Sequence, residues 1–237
     1  MKRVVFASFV VVPIVGGTQP MIADPAAAQS AVEQLKGYYA GLWGGGAWGN
    51  SDQTDAGVPS GGQTAGTTFG DGHYDVDGGL IGGGIGYNHP FGSWLAGIEA
   101  DLSYASISGS SSVCGPPAHA CGTELKSYLG TVRGRLGPTW ERWFVYGTGG
   151  LAYGRVHAWD ALFGTSGSET RVGWTAGGGV EAAFAPNWSG KVEYLYVDLG
   201  SGHLYDIVPG VPETVSFDAH VVRLGVSYHF NAPTGPR

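Results

Sequence analysis

The stretch Val215 to Phe230, VSFDAHVVRLGVSYHF, constrains the fold of this chain more than any other. From Val222 onward it alternates strictly. Val222, Leu224, Val226, Tyr228 and Phe230 share one parity, and Arg223, Gly225, Ser227 and His229 share the other. Side chains on a β-strand repeat every two residues, so one face carries an apolar, aromatic-ended row and the other a row of polar and small residues. A soluble sandwich would bury the apolar row in a core. A closed membrane barrel would turn it to lipid and turn the polar row inward. The rest of the chain decides between them.

The N-terminus opens with Met1-Lys2-Arg3, continues with an apolar run from Val4 to Val15, and reaches small residues at Met21-Ile22-Ala23. That is the order of a secretory signal peptide, residues 1–23, with cleavage after Ala23 or further on near Ala28. A spanning helix needs about twenty apolar residues, and this run is too short and is interrupted by Pro13 and Gly16. The mature chain is therefore expected to be exported through the Sec pathway. Losing Lys2 and Arg3 takes its formal charge from −7 to −9, which argues against nucleic acid as a partner. Past the leader no apolar run is long enough for a helical span, so entry into a membrane requires a closed barrel. Helical periodicity is confined to Pro25–Lys36, within a short periplasmic segment, 24–37, ahead of the first strand.

Eight strands can be read. They are Tyr38–Trp48, Gly78–Asn88, Trp94–Ile107, Glu124–Gly137, Trp143–His157, Glu169–Phe184, Trp188–Leu199 and the segment ending at Phe230. Short turns at His89–Ser93, Pro138–Arg142 and Ala185–Asn187 alternate with long polar loops. Those loops run from the first strand to about Asp77, and over Ser108–Thr123, Ala158–Ser168 and Gly200–Thr214. An even strand number with alternating short turns and long loops is the pattern of an outer-membrane barrel. A soluble up-and-down barrel has the same strand count. Against it stand the aromatic residues Phe91, Trp94, Trp140, Trp143 and Trp188 at the turns, the placing of all long loops on one side, and the charges opposite the apolar rows. The expected fold is all-β, an eight-stranded antiparallel up-and-down transmembrane β-barrel over residues 38–230, with a short tail at 231–237.

The same alternation assigns faces elsewhere. Ile98, Ala100, Leu102 and Tyr104 face lipid in the third strand, Tyr128, Val132 and Leu136 in the fourth, Trp174, Val180 and Phe184 in the sixth, and Val192, Tyr194 and Tyr196 in the seventh. The inward charges are then Glu99, Asp101, Glu181 and Glu193 against Arg133, Arg135, Lys191 and Arg223. Strands one, two and five are too rich in glycine for their faces to be read. Enclosed charges must pair, and the lumen of eight strands is narrow enough for side chains to fill. Two readings of this interior stay open: a salt-bridged plug, or a narrow polar pore of weak ion selectivity. The plug predicts almost no conductance, with some created by Arg133→Ala or Glu181→Ala.

Cys114 and Cys121, the two cysteines, flank Pro116-Pro117 in the second long loop and are read as a disulfide, as befits an exported chain. His119 between them would complete three metal ligands at best, so no metal is expected, and no cofactor. The pairs His157/Asp160 and His203/Asp206 are the candidates for catalysis at the outer rim. They read as solvated loop residues, and no nucleophile-elbow or zincin motif occurs. Gly82–Gly84 and Gly177–Gly179 lie inside strands rather than at strand-to-helix turns, which suits close barrel packing and not phosphate binding.

With the strands placed, several segments carry a resemblance. They are YAGLWGG (39–45), LGTVRGRLG (129–137), VYGTGGLAYG (145–154), GWTAGGGVE (173–181) and VEYLYVDLG (192–200). Together, and in this order, they resemble the small outer-membrane β-barrel family of alphaproteobacteria, the opacity-type porins that include major surface immunogens. The resemblance implies an eight-stranded barrel in the outer membrane of a Gram-negative bacterium, with loops exposed for host or environmental contact and a share in envelope integrity. It implies outer-membrane lipids, lipopolysaccharide and the barrel-insertion machinery as partners, weak homo-oligomers at most, and no catalytic residues. Family members usually end on the aromatic residue of the last strand, whereas here Asn231–Arg237 follow Phe230.

Overall fold

The computed structural model describes residues 31–55, 72–114, 119–162, 164–208 and 211–230. The expected signal peptide and C-terminal tail lie outside them, as does most of the segment preceding the first strand. A five-residue helix, α1 (Ala31–Leu35), leads through Gly37 (φ +83°) into eight strands. These are β1 (Gly37–Asp55), β2 (Gly72–Phe91), β3 (Trp94–Cys114), β4 (His119–Trp140), β5 (Trp143–Asp160), β6 (Thr165–Ala185), β7 (Trp188–Val208) and β8 (Val211–His229). Each pairs antiparallel with its sequence neighbours, and β8 closes on β1, making one barrel in the order β1 to β8.

Register and burial give every strand two faces. Tyr38, Leu42 and Trp48 point outward from β1, and Ile98, Leu102 and Tyr104 from β3, all half or more exposed. Rings collect at two levels. Phe91, Trp94, Trp140, Trp143, Trp188 and Phe230 lie near the short turns, while Trp48, Tyr104 and Trp174 lie some ten residues higher, with Tyr194 and Tyr196 of β7 six and eight residues above Trp188. At about 3.3 Å per residue and a tilt near 40°, ten residues span about 25 Å, the height of the apolar band of an outer-membrane barrel. The turns Gly92-Ser93, Glu141-Arg142 and Pro186-Asn187 mark the periplasmic end, each with one residue at positive φ.

The strands run well beyond the polar limits expected from the sequence. β3 continues ten residues above Tyr104 to Cys114, and β7 and β8 reach Val208 and Val211. The stretches expected to be long loops are largely ladder. The reason is a reversal of phase above the lipid belt, where the outward row meets water and turns polar while the inward row turns apolar. The reversal falls between Val221, buried, and Val222, exposed. Above it Ala219, Phe217 and Val215 point inward, and His220, Asp218 and Ser216 point outward.

Toward the outer end two ladders stop before their strands do, β2–β3 at Asp77↔Ser108 and, leaving the longer seam, β6–β7. The β6–β7 ladder ends at Trp174↔Asp198, although both strands continue. The Arg171 guanidinium crosses it, donating to the carbonyls of Gly202 on β7 (2.7 Å) and Val215 on β8 (2.5 Å).

Candidate functional site: the filled interior of the barrel

The interior is stacked in layers. At the periplasmic mouth Leu35 of α1 is fully buried against Leu95, Phe144, Tyr146 and Ala183, with Val32 packed beside it. Asn88 of β2 ties this stopper to the layer above. Its Nδ2 donates to the Leu35 carbonyl (2.7 Å), and its Oδ1 accepts from Arg135 Nε (2.9 Å).

The middle layer holds all eight charges read from the alternation, each at most 6% exposed. Arg133 forks toward three carboxylates: Glu99, Asp101 (3.0 Å) and Glu193 (3.1 Å). Arg223 joins Asp101 (3.0 Å) and Glu193 (2.5 Å), and Lys191 meets Glu99 (2.7 Å). Arg135 pairs with Glu181 (3.0 Å). Rings from the strands whose faces were unreadable complete the layer. Tyr39 donates to Glu99 (2.7 Å), Tyr146 donates to Glu193 (2.9 Å), and Trp43 lies under Arg223 (4.6 Å) and Lys191 (4.8 Å). Tyr39, Trp43 and Tyr146 are functional neighbours that the strand pattern did not single out. A signal was present in the inward glycines opposite them, since a Cβ on Gly84 would sit 2.7 Å from Trp43 and one on Gly86 2.2 Å from Tyr39. Glycine there makes room for a ring inside the barrel.

With four acids and four bases in contact, the layer is electrically balanced, and its ion pairs carry the additional hydrogen bonds that enclosed charges require. It contains a serine, a histidine and a glutamate in contact, which invites comparison with a catalytic triad. Ser189 Oγ lies 2.9 Å from His229 Nε2 and 2.5 Å from Glu181 Oε1, and that same Nε2 faces Glu181 at 3.3 Å. A triad needs the serine and the carboxylate on opposite imidazole nitrogens, with the serine open to substrate. Here both sit on one nitrogen and all three side chains are buried. The group braces β6, β7 and β8.

Above the charges the lumen is apolar, whereas the membrane-barrel pattern turned the polar row inward. Leu80, Ile107, Leu125, Leu129, Leu199 and Phe217 belong to one buried cluster that begins at Trp43. Over it lies a polar lid. Ser51 donates to Thr123 Oγ1 (3.0 Å), and Gln53 Nε2 donates to Tyr74 Oη (2.8 Å) and the Gly122 carbonyl (3.0 Å).

The outer-rim candidates do not assemble. His157 points outward, with Nδ1 2.9 Å from Ser168 Oγ, while Asp160, three residues on, is buried in the interior. Residues three apart on a strand face opposite ways. His203 is exposed on β7, and the side chains of Asp206 and His119 lie outside the described residues. Cys114 and Cys121 are joined by a disulfide that closes the β3–β4 hairpin (Cα–Cα 6.1 Å).

Comparison with known proteins places this geometry. The family model for the outer membrane protein beta-barrel domain matches residues 21–230. The chain belongs to that family. It is 40% identical over 182 residues to the 31 kDa outer-membrane immunogenic protein of Brucella melitensis, covering 67% of this chain and 70% of the relative. It is 35% identical over 146 residues to the 22 kDa outer membrane protein of Rhizobium leguminosarum bv. viciae, covering 61% and 63%. Among solved structures, the outer membrane protease OmpT of Escherichia coli superposes with a TM-score of 0.52 at 9% identity, over 82% of this chain and 97% of that one. At that identity the likeness is one of fold. The protein is an outer-membrane β-barrel whose relatives include proteins named as outer-membrane immunogenic proteins.

Proposed function

We propose that this outer-membrane barrel works without catalysis and without conducting, as a filled pillar that ties the envelope together and lifts its hairpins clear of the lipid. The observation that carries this reading is the obstruction of the lumen at three successive levels: Leu35 at the periplasmic mouth, the charged layer from Glu99 to Arg223, and the apolar cluster around Phe217. A pore would need all three to open. The partners in this reading are lipid and lipopolysaccharide along the band, the insertion machinery at the last strand, and host or environmental molecules at the hairpin tips, with at most weak self-association. The sealing of the Ser189–His229–Glu181 group inside the barrel supports the non-enzymatic part.

The test is planar-bilayer conductance of the folded protein, with folding checked by the compact migration of the unboiled form on a gel. A silent folded barrel is the expected result. Discrete, weakly selective steps would instead make the interior a channel for small solutes and would overturn the proposal.

A further inference from the structure

The outer wall just above the lipid belt differs from one flank to the other. On β4 and β5 the outward residues there include Lys126, paired with Glu124 (2.8 Å), and exposed Arg155. On β7, β8 and β1 they are acidic, with Asp198, Asp218 and Asp52, of which Asp52 pairs with His73 of β2; no lysine or arginine points outward among the described residues of β7, β8 and β1, and the imidazoles of His220 and His73 are the basic groups that face Asp218. Asp198 and Asp218 are direct register partners, so two carboxylates stand opposed across the β7–β8 ladder. Like charges placed this way repel. Asp198 accepts a hydrogen bond from the Gly200 amide (2.6 Å), whereas Asp218 has no hydrogen-bond donor and no lysine or arginine partner among the described residues. Partial burial and the facing Asp198 push the Asp218 carboxyl above its ordinary pKa.

Directly beneath the two acids lies an organised aromatic surface. Trp48 of β1 stacks on His220 of β8 (5.8 Å between centroids), and His220 meets Tyr194 (6.0 Å) and Tyr196 (5.3 Å) of β7. A hydrogen bond between Tyr194 Oη and His220 Nδ1 (2.7 Å) fixes the imidazole. Trp48 remains 50% exposed and Tyr194 42% exposed, so the rings hold one another in place while their faces stay available. Aromatic faces beside carboxylates with no lysine or arginine partner suit an ammonium group, since the ring quadrupole and the negative charge attract it together. Rings at the edge of the apolar band lie at headgroup level.

We infer that this flank, built from Asp198, Asp218, Trp48, Tyr194, Tyr196 and His220, binds the ammonium of an amine-bearing lipid headgroup in the outer leaflet. The ammonium sits between the two carboxylates, its carbon substituents lie on Trp48 and Tyr196, and the acyl chains run down the apolar row below Val222. The inference rests on the lipid-contact part of the function proposed above and gives that contact a side of the barrel and a chemistry.

The test uses the full protein in nanodiscs of equal parts phosphatidylethanolamine and phosphatidylglycerol with matched acyl chains, and counts by native mass spectrometry the lipids that survive release into detergent. The expected result is retention of phosphatidylethanolamine over phosphatidylglycerol by about tenfold, the scale of one cation–π contact plus a partly screened ion pair. The preference disappears in Asp198→Asn/Asp218→Asn and in Trp48→Leu, and persists in Lys126→Gln on the other flank. Replacing two repelling acids with amides does not threaten folding, and the compact gel band reports folding independently of headgroup choice. Equal retention of the two lipids by the native protein would overturn the inference, as would a preference that survives the double substitution. So would retention of phosphatidylglycerol that appears with calcium and vanishes with chelator, which would assign the acids to a divalent ion bridging phosphates.

Discussion

Replacing Arg133 by alanine tests the layered interior most directly. Arg133 is 1% exposed and serves three carboxylates, all of which keep other partners: Glu99 retains Lys191, Arg135 and Tyr39, and Glu193 retains Arg223 and Tyr146. Asp101 retains Arg223 and Thr131. The substitution therefore strands no single acid, but it leaves the sealed layer with four acids against three bases. Removing one member of a buried ionic group costs about 3–5 kcal/mol, and the surviving partners here place the loss near the lower end. Adding Glu193→Ala restores the balance at three against three, so the double variant should lose less than the two single losses combined, with a coupling of about 1–3 kcal/mol. The assay is urea unfolding in lipid vesicles, followed by tryptophan fluorescence, for the native protein, both single variants and the double. Strict additivity would refute the idea that charge balance governs this layer. The same variants belong in a planar bilayer. From charge alone, Arg133→Ala was expected to open some conductance. With the apolar cluster around Phe217 stacked above the charges, it should stay silent, and current steps in this variant would refute the layered account.

Further outcomes follow from other parts of the molecule. Gly84→Ala should destabilise by about 1–3 kcal/mol in the same unfolding assay, because the new methyl meets the Ala100 carbonyl at 2.4 Å and Trp43 at 2.7 Å. Alkylation without reductant should leave Cys114 and Cys121 unmodified. Reduction should speed amide exchange at the tip of the β3–β4 hairpin while leaving the belt unchanged, since the crosslink spans only seven positions in sequence. The pKa of His73, on β2 above the membrane, is raised by a hydrogen bond to Asp52. The stabilisation it brings is therefore complete below the ordinary imidazole pKa and is lost as pH rises through the raised value. An NMR titration should show the His73 midpoint falling in Asp52→Asn. Asp218, whose pKa is also raised, shifts stability in the same direction at lower pH: stability falls as the pH rises from the ordinary carboxylate range through the raised value, because its charge disfavours the fold. In detergent lacking amine headgroups, Asp218→Asn should raise the melting temperature at neutral pH slightly.

How much of this was legible in the chain depended on what lay outside each strand. Glu99, Asp101, Arg133, Arg135, Glu181, Lys191, Glu193 and Arg223 could be placed inward because lipid forces an unbroken apolar row on the opposite face, as in Ile98, Leu102 and Tyr104. In β1, β2 and β5 glycines occupy both parities: Gly44 and Gly46 point outward, Gly41 and Gly45 inward. With no contrast between faces, Tyr39, Trp43 and Tyr146 could not be assigned to the interior. The upper half of the barrel was hidden for a different reason. At Val221-Val222 the apolar parity changes sides, and a pattern that changes sides looks like a pattern that ends. The helix before β1 was visible as a short periodic segment, but its role as a stopper depends on Leu35 meeting Phe144, a contact across more than a hundred residues that no local pattern records.

That change of sides at Val221 divides the molecule into an anchor and a tower. The tower draws its cohesion from Phe217, Leu199, Ile107 and their neighbours packed against one another in the manner of a water-soluble protein, so its solidity owes little to the surrounding lipid. The residues at the hairpin ends are thereby released from duty to the anchor. Substitutions at those ends therefore leave the lipid-facing rows and the charged layer of the anchor untouched.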